Sequence, residues 1–180
     1  MNLLANPALV WTSALLIAGI FLPSAVSKLR AIDEFEGVLA DYRLLPEALV
    51  RPAARSLPAL ELGAGLLVLL PATRPVGGAL ATGLLLLFAL AMAVNVARGR
   101  TEIDCGCFLG RQKERIGWRL VARNLVLAGL SLPLLAAEGA ALPAVIELPM
   151  IVLAAGSLLA LYAAFSRLAG LAPARRPRRA

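Results

Sequence analysis

Histidine is absent from this 180-residue chain, and only two cysteines, two tryptophans, two tyrosines and five phenylalanines occur. Without imidazole, the commonest general base, the commonest zinc ligand and every haem site built on histidine are excluded. Cys105 and Cys107 stand one residue apart, so no disulfide framework ties distant segments together. Charge is also scarce. Charged residues make up 16% of the chain, against about 25% in an average soluble domain, too few to cover a globule with water-facing groups. A soluble globular protein is excluded on that ground.

What the chain does have is blocked apolar sequence: 60% hydrophobic residues, gathered in long uncharged runs of Ala, Leu, Val and Gly. Such runs exclude a disordered chain as well. The reading is an all-α, polytopic membrane helix bundle. A helix needs about 20 mostly apolar residues to cross a hydrocarbon core of roughly 30 Å. Five segments meet or approach that need, at about 8–26, 57–72, 75–97, 117–137 and 148–166. Together they define one integral-membrane domain over residues 1–170, followed by a basic, proline-broken tail over 171–180. Residues 1–27 hold no Lys or Arg, so they lack the basic start of a signal peptide and read as a retained span.

Orientation follows from the basic residues. With five spans, every Lys and Arg except Arg74 falls on one side of the membrane. Positive charge marks the cytoplasmic side, which places the N-terminus outside and the C-terminus in the cytoplasm of a bacterial inner-membrane protein. The formal charge of +7 is therefore read as lipid-facing, with the tail drawn to anionic lipid and no nucleic acid as partner. Between the first two spans, Ile32, Phe35, Val38, Leu39 and Tyr42 recur at helical spacing among Asp33, Glu34, Glu36 and Asp41. This predicts an amphipathic interfacial helix over about 31–45; a connector with chance periodicity is the alternative.

Chemistry concentrates in Asp104-Cys105-Gly106-Cys107-Phe108, a polar connection between the third and fourth spans. Glycine between the cysteines lets the backbone fold so that the sulfurs meet. A ring that small is strained, and strained disulfides exchange readily. The same two thiolates suit a soft ion such as Cu(I) or Hg(II), with Met92 as the only plausible helper. Two cysteines acting as small buried hydrophobes are the bland alternative. The polar residues of the spans cluster at the same membrane face: Lys28, Glu61, Asn95, Arg123 and Asn124. A cation near the loop favours thiolate over thiol. Glu61 needs a counter-charge and is expected to pair with Arg123 or Lys28 beneath the loop. Each of these residues also fits a purely structural clamp between helix ends.

Taken in order, the pieces resemble the MauE branch of the MauE/DoxX redox-associated membrane proteins. The matching stretches are Ala25-Val26-Ser27-Lys28-Leu29, Phe35 ahead of Asp41-Tyr42-Arg43-Leu44-Leu45-Pro46, and Pro58-Ala59-Leu60-Glu61-Leu62. They continue with Asn95, Arg98-Gly99-Arg100, the cysteine motif, and Trp118 with Arg123-Asn124. One departure is Leu109, which stands before Gly110 where the pattern has glycine directly after phenylalanine. The resemblance implies a four-helix core with a fifth helix beside it. It also implies thiol–disulfide traffic with a thioredoxin-like partner, in support of maturing an extracytoplasmic protein; nothing in the sequence points to methylamine, so the redox role carries over and the substrate does not. Cys105 and Cys107 are then the reacting groups, supported by Lys28, Glu61, Asn95, Asp104, Gly106, Arg123 and Asn124, with no cofactor expected. Periplasmic work calls for cysteines outside, whereas the charge distribution puts them at the cytoplasmic face. A soft-metal binder and a non-catalytic scaffold are the rival readings.

Overall fold

The computed structural model of the chain describes residues 6–106, 115–137 and 143–171, with side chains as far as 166. Helix α1 (Pro7–Arg30) starts where Asn6 Oδ1 accepts the amides of Ala8 and Leu9 at 3.0 and 3.4 Å, with Pro7 in the first helical position. It turns at Ala31 into α2 (Ile32–Tyr42), which ends at Arg43 in a left-handed conformation (φ 48°). Pro46 then leads into α3 (Glu47–Leu67), and a 3-10 turn at Pro71–Thr73 reverses the chain into α4 (Arg74–Ala97). Helix α5 (Trp118–Ser131) continues in a 3-10 turn, Leu132–Leu134, and α6 (Leu148–Leu171) follows another, Val145–Glu147. Among the described residues, all regular structure is helical apart from one isolated bridge between Asp104 and Arg115. The all-α membrane bundle read from composition is the architecture observed.

Three of these helices are long and apolar enough to cross a membrane among the described residues: Pro7–Arg30, Pro71–Ala97 and Val145–Ser166. Of the five segments read as spans, the other two fall short for different reasons. Helix α5 has only 14 residues. Helix α3 begins at Glu47, ten residues ahead of the span read at 57–72, and carries Glu47, Arg51, Arg55 and Glu61 along its length. Pro52 and Pro58 lie inside it. Within a packed bundle, neighbouring groups offset the backbone bond a proline removes, and Pro58 is fully buried.

The main core gathers Val10, Ala14, Ile17 and Phe21 of α1, Ala64 of α3, Ala81, Leu84 and Leu85 of α4, and Leu127 and Ala128 of α5. Helix α6 packs on α1 through Leu158, Leu159 and Tyr162, and otherwise presents apolar side chains outward. A second cluster (Ala89, Met92, Ile103, Ile116, Leu120 and Val121) sits where the loop after α4 meets α5. Helix α2 packs mainly on α3, with only Phe35 fully inside.

Close approach at the α3–α4 turn depends on glycine. A Cβ at Gly77 would lie 2.7 Å from the amide nitrogen of Val68 and 2.8 Å from the carbonyl carbon of Leu67, and that backbone has nowhere to move. Gly63, by contrast, has open space around it. Alanine ordinarily strengthens a helix interior by up to about 1 kcal/mol over glycine. Gly63→Ala is therefore expected to leave stability unchanged or slightly raised. Gly77→Ala should cost about 1–3 kcal/mol through overpacking. Thermal unfolding of the detergent-solubilised protein compares the two.

Candidate functional site

The site is built from the last turn of α1 upward. Lys28 lies in that turn, where the carbonyl end of the helix favours a cation. It is 4% exposed and forms an ion pair with Glu61 of α3, itself 2% exposed. The second carboxylate oxygen of Glu61 accepts from Ser24 Oγ at 3.2 Å. Ser24 and Lys28 are four residues apart and so share one face of α1, which lets a single carboxylate hold both. The Lys28 ammonium also lies 5.1 Å from the ring centre of Phe35 and 4.9 Å from that of Phe88. Aromatic faces attract a desolvated cation, so helices α1 to α4 all touch this one charge.

The loop above it is anchored at both ends. Helix α4 closes with the Arg100 amide bonded to Asn95 O and the Gly99 amide bonded to Val96 O, with Gly99 at φ +74°. That is a Schellman cap, which requires a left-handed residue at the glycine position. The Arg100 guanidinium donates to Asn95 Oδ1 at 3.1 Å and to the carbonyls of Tyr42 and Asp41 at 3.3 and 2.8 Å. Asn95 in turn donates to Ala91 O at 3.2 Å. Arg100 thus ties the end of α4 to the end of α2. Its role shows only in the contact; the one hint in sequence is Gly99 placed just past the last helical residue.

Beyond Arg100, the Ile116 amide bonds to Ile103 O at 2.9 Å, and Arg115 pairs with Glu102 at 2.5 Å. Asp104 Oδ1 accepts from the Gly106 amide at 3.2 Å, a side-chain turn that fixes the backbone around Cys105. Gly106 is left-handed (φ +68°), and a Cβ there would come within 3.1 Å of Val38 and 3.4 Å of Phe35. The loop therefore lies directly against α2. Cys105 is half-buried against the second core cluster. Cys107 lies outside the described residues.

Between α2, α3 and α4 is a cavity of about 290 Å³, whose wall includes Lys28, Phe35, Tyr42, Phe88, Met92 and Cys105. Of the residues singled out from sequence, Lys28 and Cys105 line it; Glu61 is joined to it through Lys28, and Asp104 and Gly106 flank Cys105. Asn95 lies one layer behind, through Arg100. Arg123 is placed elsewhere: its Nη1 donates to Ser166 Oγ of α6 at 2.9 Å, and its guanidinium lies 5.1 Å from the Tyr162 ring centre. Asn124 donates to Leu120 O within α5 at 2.9 Å. The ion partner of Glu61 is thus Lys28, and Arg123 joins α5 to α6. Arg74 is fully buried, with Nε donating to Val68 O at 3.0 Å and its guanidinium stacked 4.2 Å from the Trp11 ring centre. Among the described residues, no group of three or more His, Cys, Asp or Glu side chains is placed to hold a metal ion.

The family model described as methylamine utilisation protein MauE matches residues 6–137. The methylamine utilization protein MauE of Paracoccus denitrificans is 41% identical over 175 residues, covering 96% of this chain and 94% of that protein. Its counterpart in Paracoccus versutus is 42% identical over 177 residues, covering 98% and 95%. That of Methylophilus methylotrophus is 45% identical over 132 residues, covering 73% and 70%. No solved structure matches the chain.

The ion pair makes a direct prediction. Removing one partner of a buried pair leaves the other charge uncompensated, at a cost of roughly 3–5 kcal/mol. Glu61→Leu is expected to destabilise the bundle on that scale. Adding Lys28→Met to Glu61→Leu should restore most of the loss, since both buried charges are then gone. Unfolding midpoints of the two single variants and the double variant, in one detergent, measure the coupling.

Proposed function

Starting from the MauE family, to which the chain belongs by its match over residues 6–137, we propose that it is a membrane thiol–disulfide redox protein. Its reacting groups are Cys105 and Cys107, and its partner is a thioredoxin-like protein. The physiological setting proposed is methylamine utilisation, the process for which its relatives are named. The observation that supports this reading most is the position of Cys105. It is held by the Asp104 turn and by left-handed Gly106, on the wall of a cavity that also contains a buried ammonium. A cation near a thiol favours the nucleophilic thiolate. One of the two cysteines forms a mixed disulfide with a partner cysteine; when the partner arrives reduced, its second thiol displaces this bond, which closes the partner's disulfide and leaves Cys105 and Cys107 as thiols.

In this reading Lys28 is the local cation and Glu61 holds it in place. Asp104 and Gly106 shape the loop, while Asn95, Arg123 and Asn124 act on helix ends. The chain is proposed to span the bacterial inner membrane with its N-terminus outside, its cysteine loop at the cytoplasmic face, and its basic tail against anionic lipid. The domain is taken as residues 1–170, with α2 along the interface. One observation favours a second reading: Met92 and Cys105 share the cavity wall, which would add a soft thioether to a Cu(I) or Hg(II) site.

Single Cys105→Ser and Cys107→Ser variants, expressed in cells with their native partners, test the reaction. One of the two is expected to accumulate a reductant-sensitive adduct with a thioredoxin-like protein on non-reducing gels. Absence of the adduct from both variants overturns the exchange reading. Stoichiometric Cu(I) binding lost in both variants, with no adduct, selects the metal site. A functional double Cys→Ser variant selects a scaffold.

Orientation is tested separately, by topology reporters fused after Ala72 and after Ala180. The first is expected to report the cytoplasmic side as excluded and the second as occupied. An extracytoplasmic signal at Ala180 reverses the orientation.

A further inference from the structure

Electrons that reach a cysteine pair must leave it, and the cavity beside Cys105 has the chemistry of an exit. We propose that this cavity binds a lipid-soluble quinone, which takes the electrons from the reduced pair. The proposal rests on the thiol–disulfide reading above and names the second substrate of that site.

The wall excludes most alternatives. Of the residues lining it, only Lys28, Tyr42, Ser56 and Cys105 carry a polar side chain, and the remainder are apolar. Nucleotides and peptide thiols such as glutathione carry several charges, and one cation already matched by Glu61 cannot compensate them. A volume of about 290 Å³ lies at the small end of ligand sites, which run from roughly 300 to 1,000 Å³, and suits a substituted ring. The route in is from the bilayer. Leu44, Leu45 and Leu87 line the cavity and are also 38–49% exposed on a face of a membrane protein. An apolar ligand dissolved in lipid reaches such a site laterally.

Three features select a quinone over an acyl chain. Phe35, Tyr42 and Phe88 line the cavity with aromatic rings, against which a flat ring packs favourably. Lysine has three N–H donors; Lys28 donates one to Glu61, and the rings of Phe35 and Phe88 flank the ammonium. A quinone carbonyl oxygen is a stronger acceptor for that charged donor than a ring face. Cys105 shares the same wall, so a ring in the cavity lies beside a reacting sulfur. The step balances without another reagent. Two S–H bonds break and one S–S bond forms, and the two electrons and two protons pass to the quinone oxygens as two O–H bonds. The product is a hydroquinone, which returns to the bilayer. A loop at the cytoplasmic face then needs no passage across the membrane, because its electrons leave through the lipid.

The test uses the full chain, pre-reduced, in phosphatidylcholine nanodiscs titrated with a decyl-substituted benzoquinone. Calorimetry reports binding, and maleimide labelling counts remaining thiols. Wild type is expected to show one saturable site and to lose both thiols. Ala91→Phe on α4 and Ala53→Phe on α3 each fill the cavity from a different wall and should weaken binding about tenfold or more. Cys105→Ser should bind the quinone and leave it oxidised. Heat no greater than partitioning into empty nanodiscs overturns the proposal, as does binding unaffected by both filling variants. Cavity-dependent binding with both thiols retained overturns the electron transfer. A mixed disulfide trapped with the partner while no quinone binds removes this proposal and leaves the exchange reading standing. Cavity-dependent quinone reduction with no trapped partner does the reverse.

Discussion

A lysine and a glutamate buried together among apolar helices constrain everything at the loop end of this bundle. Either charge buried alone, Lys28 at 4% or Glu61 at 2% exposure, would carry a desolvation cost with nothing to offset it. Their pairing therefore fixes the rotation of α1 against α3 as well as their relative height. Ser24 satisfies the other carboxylate oxygen, which leaves Glu61 little freedom to turn. The rings of Phe35 and Phe88 then bring α2 and α4 to the same ammonium. Four helices meeting at one charge leave a gap between them, and that gap is the cavity. Hydrophobic residues of equal volume would pack as stably, so the pair is better understood as selecting one arrangement than as adding net stability.

The two ends of the molecule are built on different physics. At the α3–α4 turn, Gly77 and Gly78 let backbone approach backbone, Arg74 is stacked on Trp11, and little space is left. At the other end, polar atoms set the geometry. Arg100 links Asn95 to the terminal carbonyls of α2, and Asp104 turns the chain at Cys105. A tightly packed far end lets the polar end hold a cavity without loss of the fold. The residues named for chemistry divide accordingly: Lys28 and Cys105 face the cavity, whereas Arg123 serves the α5–α6 contact.

Helices were legible in the sequence because the requirement for them is local: an uncharged apolar run of sufficient length has few other options in lipid. The α2 helix was legible for a related reason, since Ile32, Phe35, Val38, Leu39 and Tyr42 fall on one face. The start of α3 was not. Pro52 and Pro58 look like breakers in isolation; Pro58 is buried against neighbouring helices, whereas Pro52 lies exposed in the opening turns of the helix. Nor did span length reveal that α5 stops at Ser131, where a 3-10 turn takes over.

At the site, order along the chain was enough to bring Lys28, Glu61 and Cys105 to one end of the bundle, because helix direction alone sorts them by depth. Which cation meets Glu61 was beyond that reasoning. Lys28 and Arg123 were equal candidates by depth, and the choice depends on how each helix is rotated about its axis. Rotation is set by side-chain packing over the whole bundle, and here it turns Arg123 towards Ser166 of α6. The place of Cys105 on the cavity wall was equally hidden. It depends on the left-handed backbone at Gly106 laying the loop on Phe35 and Val38, residues some seventy positions earlier in the chain. Depth in a membrane is a one-dimensional property that sequence carries; azimuth and loop docking are three-dimensional, and only the packed structure decides them.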